Sequence, residues 1–94
     1  MTEQKSTKML MVVIIEAKLT HDTEMFGKMD PYCKLSSEHL AVQTRIHDKA
    51  GKKPHWDQTF SIDPNYLGPQ IKFTVLDQDM ASKDLVGECS ILKE

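Results

Sequence analysis

Apolar and polar residues along this chain alternate mostly with a period of two, and nowhere do they recur at the three-to-four-residue spacing of an amphipathic helix. "YCKLSS" places Cys33 and Leu35 on one face and Tyr32 and Lys34 on the other. "LAVQTRIH" sets Leu40, Val42, Thr44 and Ile46 against Ala41, Gln43 and Arg45, the pattern of a half-buried strand. "WDQTFSI" aligns Trp56, Gln58, Phe60 and Ile62, with Gln58 as a polar position on an apolar face, and "IKFTVL" aligns Ile71, Phe73 and Val75. "LVGECSIL" reads as a last strand. The first segment, "KMLMVVIIEAKL", differs because it is apolar on both faces: Leu10, Val12 and Ile14 on one, Met11, Val13 and Ile15 on the other. Its β-branched residues favour a strand over a short buried helix, and its two-sided apolarity predicts a central one.

Turn chemistry separates these segments. Gly27 and the Asp30-Pro31 pair mark "THDTEMFGKMDP" as an irregular loop, and "SSEH" reads as a hairpin turn. "DKAGKKPH", with Gly51 and Pro54, is a charged loop, and "DPNYLGPQ" is a turn or a single helical turn. The stretch "VLDQDMASKDLVGE", residues 75–88, reads as a loop for most of its length. Six short strands at regular turn spacing predict an all-β fold, an antiparallel β-sandwich. At 94 residues the chain is one domain with a modest core, containing no repeat or linker.

Composition narrows the function. Twelve Lys and Arg against 14 Asp and Glu give a net charge of -2, so no global basic field recruits nucleic acid or anionic lipid, and any such attraction is local. Cys33 and Cys89 match no Cys-x-x-Cys pattern and lie in apolar stretches, which predicts reduced, buried thiols, a disulfide being the alternative. The start "MTEQKSTK" lacks the apolar core of a secretory signal, and the run Met9–Ile15 is too short to span a bilayer. The expectation is a cytoplasmic protein whose membrane contact is peripheral. His21, His39, His47 and His55 have no zinc-ligand spacing, and no glycine-rich phosphate loop, nucleophile elbow or His-Glu-x-x-His motif is present, so no enzyme is expected.

The chemistry concentrates in carboxylates. Asp77, Asp79 and Asp84 crowd into eight positions, and such charges repel one another unless they are solvated or share a cation. Asp77, Asp79 and Glu88 fall at the first, third and twelfth positions of an EF-hand loop, but Ala81 stands at the fifth and Ser82 at the sixth, where a ligand and a glycine are required. The flanks are also strands, not helices, so the EF-hand is excluded. Calcium can instead be held by oxygens drawn from two loops at one end of a sandwich, and "HDTEMFGKMDPY" carries the other acidic set, Asp22, Glu24 and Asp30. Solvated turns remain the alternative.

"LMVVIIEAKL", "GKMDPYCKL", "KPHWDQTF" and "FTVLDQDMASKDLVGE", in this order, resemble the C2 domain, the calcium-and-lipid-binding module of protein kinase C and synaptotagmin. The resemblance runs from about Leu10 to Ile91 and assigns residues 9–94 to a C2-like domain after a polar segment, 1–8. It implies a Greek-key sandwich of eight strands whose loops at one end bind two or three Ca2+ ions and dock on anionic phospholipid headgroups. The ligands it implies are Glu24, Asp30, Asp77, Asp79 and Asp84. Glu24 stands where the family has an aspartate, and four residues separate Asp79 from Asp84 where the family spacing is five. Ions bound there would reverse the local charge and accept phosphate oxygens, while Met25, Phe26 and Met80 enter the headgroup region. A lysine-rich patch, which family members use for phosphoinositides, is matched by Tyr32, Lys34, Arg45, Lys49, Lys52 and Lys53, with Gln43 replacing an expected basic residue.

The implied function is a calcium-dependent, phospholipid-binding module, cytoplasmic and reversibly recruited to membranes. The alternative is a calcium-independent protein-interaction or scaffold module. Six visible strands against the family's eight further imply two missing strands, both at the C-terminal end or one at each end according to which family topology applies, and exposed edges open to a protein partner or to self-association.

Overall fold

The computed structural model describes residues 8–20, 28–78 and 83–92. Within them the six strands are β1 (Leu10–Glu16), β2 (Pro31–Ser37), β3 (Leu40–Gln43), β4 (His55–Ile62), β5 (Gln70–Gln78) and β6 (Lys83–Leu92). They form a two-stranded sheet, β1-β4, facing a four-stranded sheet ordered β3-β2-β5-β6, and every pairing is antiparallel. The expected β-sandwich is therefore present. The segment "DPNYLGPQ" includes a single 3-10 turn, Pro64–Tyr66, capped by the Asp63 carboxylate, which accepts from the Asn65 amide at 3.0 Å.

Alternation decides which side chains meet between the sheets. Ile14, Trp56 and Ile62 come from the smaller sheet; Cys33, Leu35, Ile71, Val75 and Val86 come from the larger one, and all are buried in one core. Trp56 is only 1% exposed, and its indole N–H donates to the Pro31 carbonyl at 3.2 Å, so the largest core residue leaves no buried donor unpaired. Gln58, polar on an apolar face, turns its Oε1 to accept from the Arg45 amide at 2.8 Å.

Three sequence expectations are corrected. β1 pairs with β4 alone among the described residues, and the side chains expected to be covered by a second layer, Met11, Val13 and Ile15, are about half exposed. β3 ends at Gln43, because Thr44 turns its hydroxyl back to accept from the Cys33 amide at 2.9 Å while its own amide donates to the Cys33 carbonyl at 2.8 Å. The thiols also part company: both are free, Cys33 is buried and Cys89 is exposed. Burial pushes the Cys33 thiol up to about 11, so it stays protonated at neutral pH, and the neighbouring Cys89 adds to the effect.

Candidate functional site

The acidic stretch is less of a loop than its composition suggests. β5 continues through Asp77 to Gln78 and β6 begins at Lys83, so the hairpin connection covers only residues 79–82. In the ladder Asp77 lies opposite Pro31 of β2 on one side and Asp84 of β6 on the other. This register is a consequence of strand pairing, and it brings Asp30, Asp77 and Asp84 to the same end of the four-stranded sheet.

Two of the expected ligands are joined directly. The Asp77 side chain is 0% exposed, and its Oδ1 accepts from the Asp30 amide at 2.8 Å, while the Asp30 carbonyl accepts from the Gln78 amide at 3.1 Å. The Asp30 carboxylate faces the other way along the rim and accepts from the Lys49 amide at 2.6 Å. Lys49 and Gly51 both adopt positive φ, 58° and 65°, and Gly51 donates to the Met29 carbonyl at 3.1 Å. The basic loop is thus folded down against the Asp30 segment. Acceptor-only carboxylate oxygens are the ligands a hard cation takes, and Asp30 and Asp77 fit that chemistry.

Glu24, Met25, Phe26, Asp79 and Met80 lie outside the described residues, and of Asp84 only the backbone lies within them. Among the described residues no three His, Cys, Asp or Glu side chains converge as a metal-holding group.

The basic patch is dispersed. Lys34 is exposed on the outer face of the larger sheet opposite Gln43 and Thr74, and Lys49, Lys52 and Lys53 are exposed on the 48–53 loop. Arg45 does not share the Lys34 face as alternation predicts. It lies beyond the end of β3, and its guanidinium donates to the Trp56 carbonyl on β4, because the chain has already turned away at Thr44. Tyr32 is 3% exposed and presents no free ring beside Lys34.

A group that composition did not single out sits at the β1–β4 end. Glu16 pairs with His55 across a register shift; the His55 ring is 2.5 Å from Asp57 and 3.7 Å from Glu16, and its amide donates to His47 Nδ1 at 3.0 Å. Asp57 has a positive φ of 48°, which lets it reach its neighbour two residues back. A register shift in a two-strand ladder has no signature in the alternation pattern, so this pairing was not legible in the sequence.

Residues 8–94 match the family model of the C2 domain. Among curated proteins the chain is 29% identical over 83 residues to 16 kDa phloem protein 2 of Arabidopsis thaliana and 30% identical over 84 residues to Synaptotagmin-5 of the same plant. Those matches cover 87% and 85% of this chain but 56% and 15% of the relatives, so the chain spans little more than half of one and a small part of the other. Among solved structures, a C2 domain of RIM from Drosophila superposes with a TM-score of 0.70 at 22% identity, over 88% of this chain and 73% of that one. The calcium-bound pair of C2 domains from Extended-Synaptotagmin 2 gives 0.73 at 22% identity, over 90% and 34%.

Proposed function

The chain belongs to the C2 domain family, and from that premise we propose that it is a calcium-dependent module for binding anionic phospholipid. One observation carries this reading: Asp30 and Asp77, 47 residues apart in sequence, are locked side by side at one end of the sandwich by the 2.8 Å bond between them. In this reading Glu24, Asp79 and Asp84 complete the oxygen set, and calcium supplies a positive centre that accepts headgroup phosphate oxygens. The chain's own residues do the rest. Asp77 fixes the Asp30 backbone, the folded 48–53 loop holds Lys49, Lys52 and Lys53 near the rim, and Met25, Phe26 and Met80 provide apolar anchorage. Lys34 extends the positive surface toward phosphoinositide headgroups. The calcium-bound state of Extended-Synaptotagmin 2, a structural neighbour, supports the same assignment.

Co-sedimentation with phosphatidylserine vesicles, with calcium or with chelator, tests the proposal on the wild type and on Asp77→Asn with Asp79→Asn. The wild type pellets with calcium and stays in the supernatant with chelator, and the double variant stays in the supernatant in both. Equal pelleting in all four conditions, or none in any, would overturn the calcium switch. Pelleting in none would favour the calcium-independent protein-interaction or scaffold reading, and calcium-independent pelleting in all four would favour a direct lysine contact with the headgroups.

A further inference from the structure

The basic loop joining β3 to β4 lies against both borders of the acidic segment between β1 and β2, and its backbone bonds divide between them. Toward β2, the His47 amide donates to the Pro31 carbonyl at 2.9 Å, the Lys49 amide to the Asp30 carboxylate at 2.6 Å and the Gly51 amide to the Met29 carbonyl at 3.1 Å. Toward β1, the Lys52 carbonyl accepts from the Leu19 amide at 2.8 Å and the Pro54 carbonyl from the Ala17 amide at 3.2 Å. Met29 is 0% exposed, so the loop is moored to the core on the side that carries Asp30. The Lys49, Lys52 and Lys53 side chains take no part in these bonds and are exposed.

Asp30 is the residue on which the bonds converge. Its amide donates to Asp77 and its carbonyl accepts from Gln78, which fixes the backbone. Its side chain is held by the Lys49 amide. That amide meets the carboxylate because Lys49 has a φ of 58°, and Gly51, at 65°, returns the chain to Met29. Left-handed backbone disfavours an L side chain, and Lys49 persists in it because the bonds on either side over-determine the turn.

We infer that this loop is a positioning element for the calcium site: the Lys49 amide sets the Asp30 carboxylate, and the left-handed turn at Gly51 keeps that amide in place. The inference rests on the calcium reading proposed above and adds to it a role for the loop's backbone that is separate from the charge of its lysines. A ligand held in one rotamer loses little freedom when it coordinates, whereas a freely rotating carboxylate loses that freedom on binding and binds more weakly. An ionised carboxylate has about four acceptor positions, so one hydrogen bond orients Asp30 without exhausting its capacity for a cation.

Gly51 is the place to test this. A Cβ there would meet nothing nearer than the Lys28 side chain at 3.8 Å, so Gly51→Ala acts through φ and not through crowding, and it leaves the charge of the loop unchanged. Gly51→Asn adds a larger side chain that tolerates the left-handed region, and it serves as the rescue. Calorimetric titration with calcium chloride, without lipid, is expected to show a dissociation constant raised about fivefold or more in Gly51→Ala and a smaller rise in Gly51→Asn. Equal affinity in the wild type and Gly51→Ala, or a loss that Gly51→Asn does not lessen, would overturn the inference and leave the calcium reading standing. A wild type that binds no calcium would overturn both.

Amide exchange supplies a reading free of the metal. In chelator, Asp30→Ala removes the acceptor of the Lys49 amide and speeds its hydrogen exchange about tenfold, as expected for a hydrogen bond to a charged group. An unchanged rate would overturn the inference whatever the calcium titration shows.

Discussion

The two flanks of the sandwich are built from the same kinds of residue and end in opposite states. Along β3 and β4 the layers are closed by polar bonds. The Arg45 guanidinium spans to the Trp56 carbonyl, Gln58 accepts from the Arg45 amide, and Thr44 folds onto Cys33. Along β1 and β6 no such bonds cross among the described residues, and apolar side chains face a cleft, with Ile91 half exposed. Closing a flank thus required few residues, chiefly polar side chains at or just beyond the end of β3 that reach across to β4.

The largest effect is expected where the closed flank meets the core. Trp56→Ala removes a buried indole and its bond to Pro31, and costs about 3–5 kcal/mol in urea denaturation, close to the whole stability of a domain of this size. A loss below about 1 kcal/mol would show that Trp56 does not organise this flank. Arg45→Met keeps the apolar stem and deletes the clamp, with an expected loss of about 1.5 kcal/mol, the lower end for a hydrogen bond to a charged group. If Arg45→Met left the denaturation midpoint unmoved, the flank would be closed by packing and not by its polar bonds.

A smaller pair of effects separates the rim from both flanks. Asp77→Ala leaves the Asp30 amide without its acceptor and costs about 1–3 kcal/mol, whereas Asp77→Asn retains an oxygen there and costs less. Equal losses would mean that the charge, and not the hydrogen bond, carries the folded-state role of Asp77. Smallest of all, Val13→Thr on the outer face of β1 changes the stability of the single chain by less than about 0.5 kcal/mol, since Val13 is 51% exposed. A larger loss would place Val13 in a contact the open flank does not show.

Much of this was legible in the sequence because alternation records which face of a strand is buried. The core positions of β2, β4 and β5 follow directly from it, and so does the polar exception at Gln58. The Asp30 and Asp77 pair was legible only through the order of four motifs that resemble a family, since residues 47 apart carry no local sign of contact. Arg45 was misread because alternation assigns faces only while a strand continues, and β3 stops at Gln43; Tyr32, inside β2, shares the face of Lys34 but is buried there, which alternation does not record. The His55, Glu16 and Asp57 group left no trace, because a register shift changes who meets whom without changing composition.

By itself, then, the sequence determined the strands, the two faces of each and the concentration of carboxylates near their ends, all properties set by periods of a few residues. Only the tertiary structure decided which edges pair. β1 reads as a central strand because both its faces are apolar, yet one of its edges pairs with no strand among the described residues, and the outward side chains Met11, Val13 and Ile15 are about half exposed. Pairing joins backbone groups that every residue carries alike, and the choice of neighbour therefore depends on how the layers stack and not on any residue within the strand.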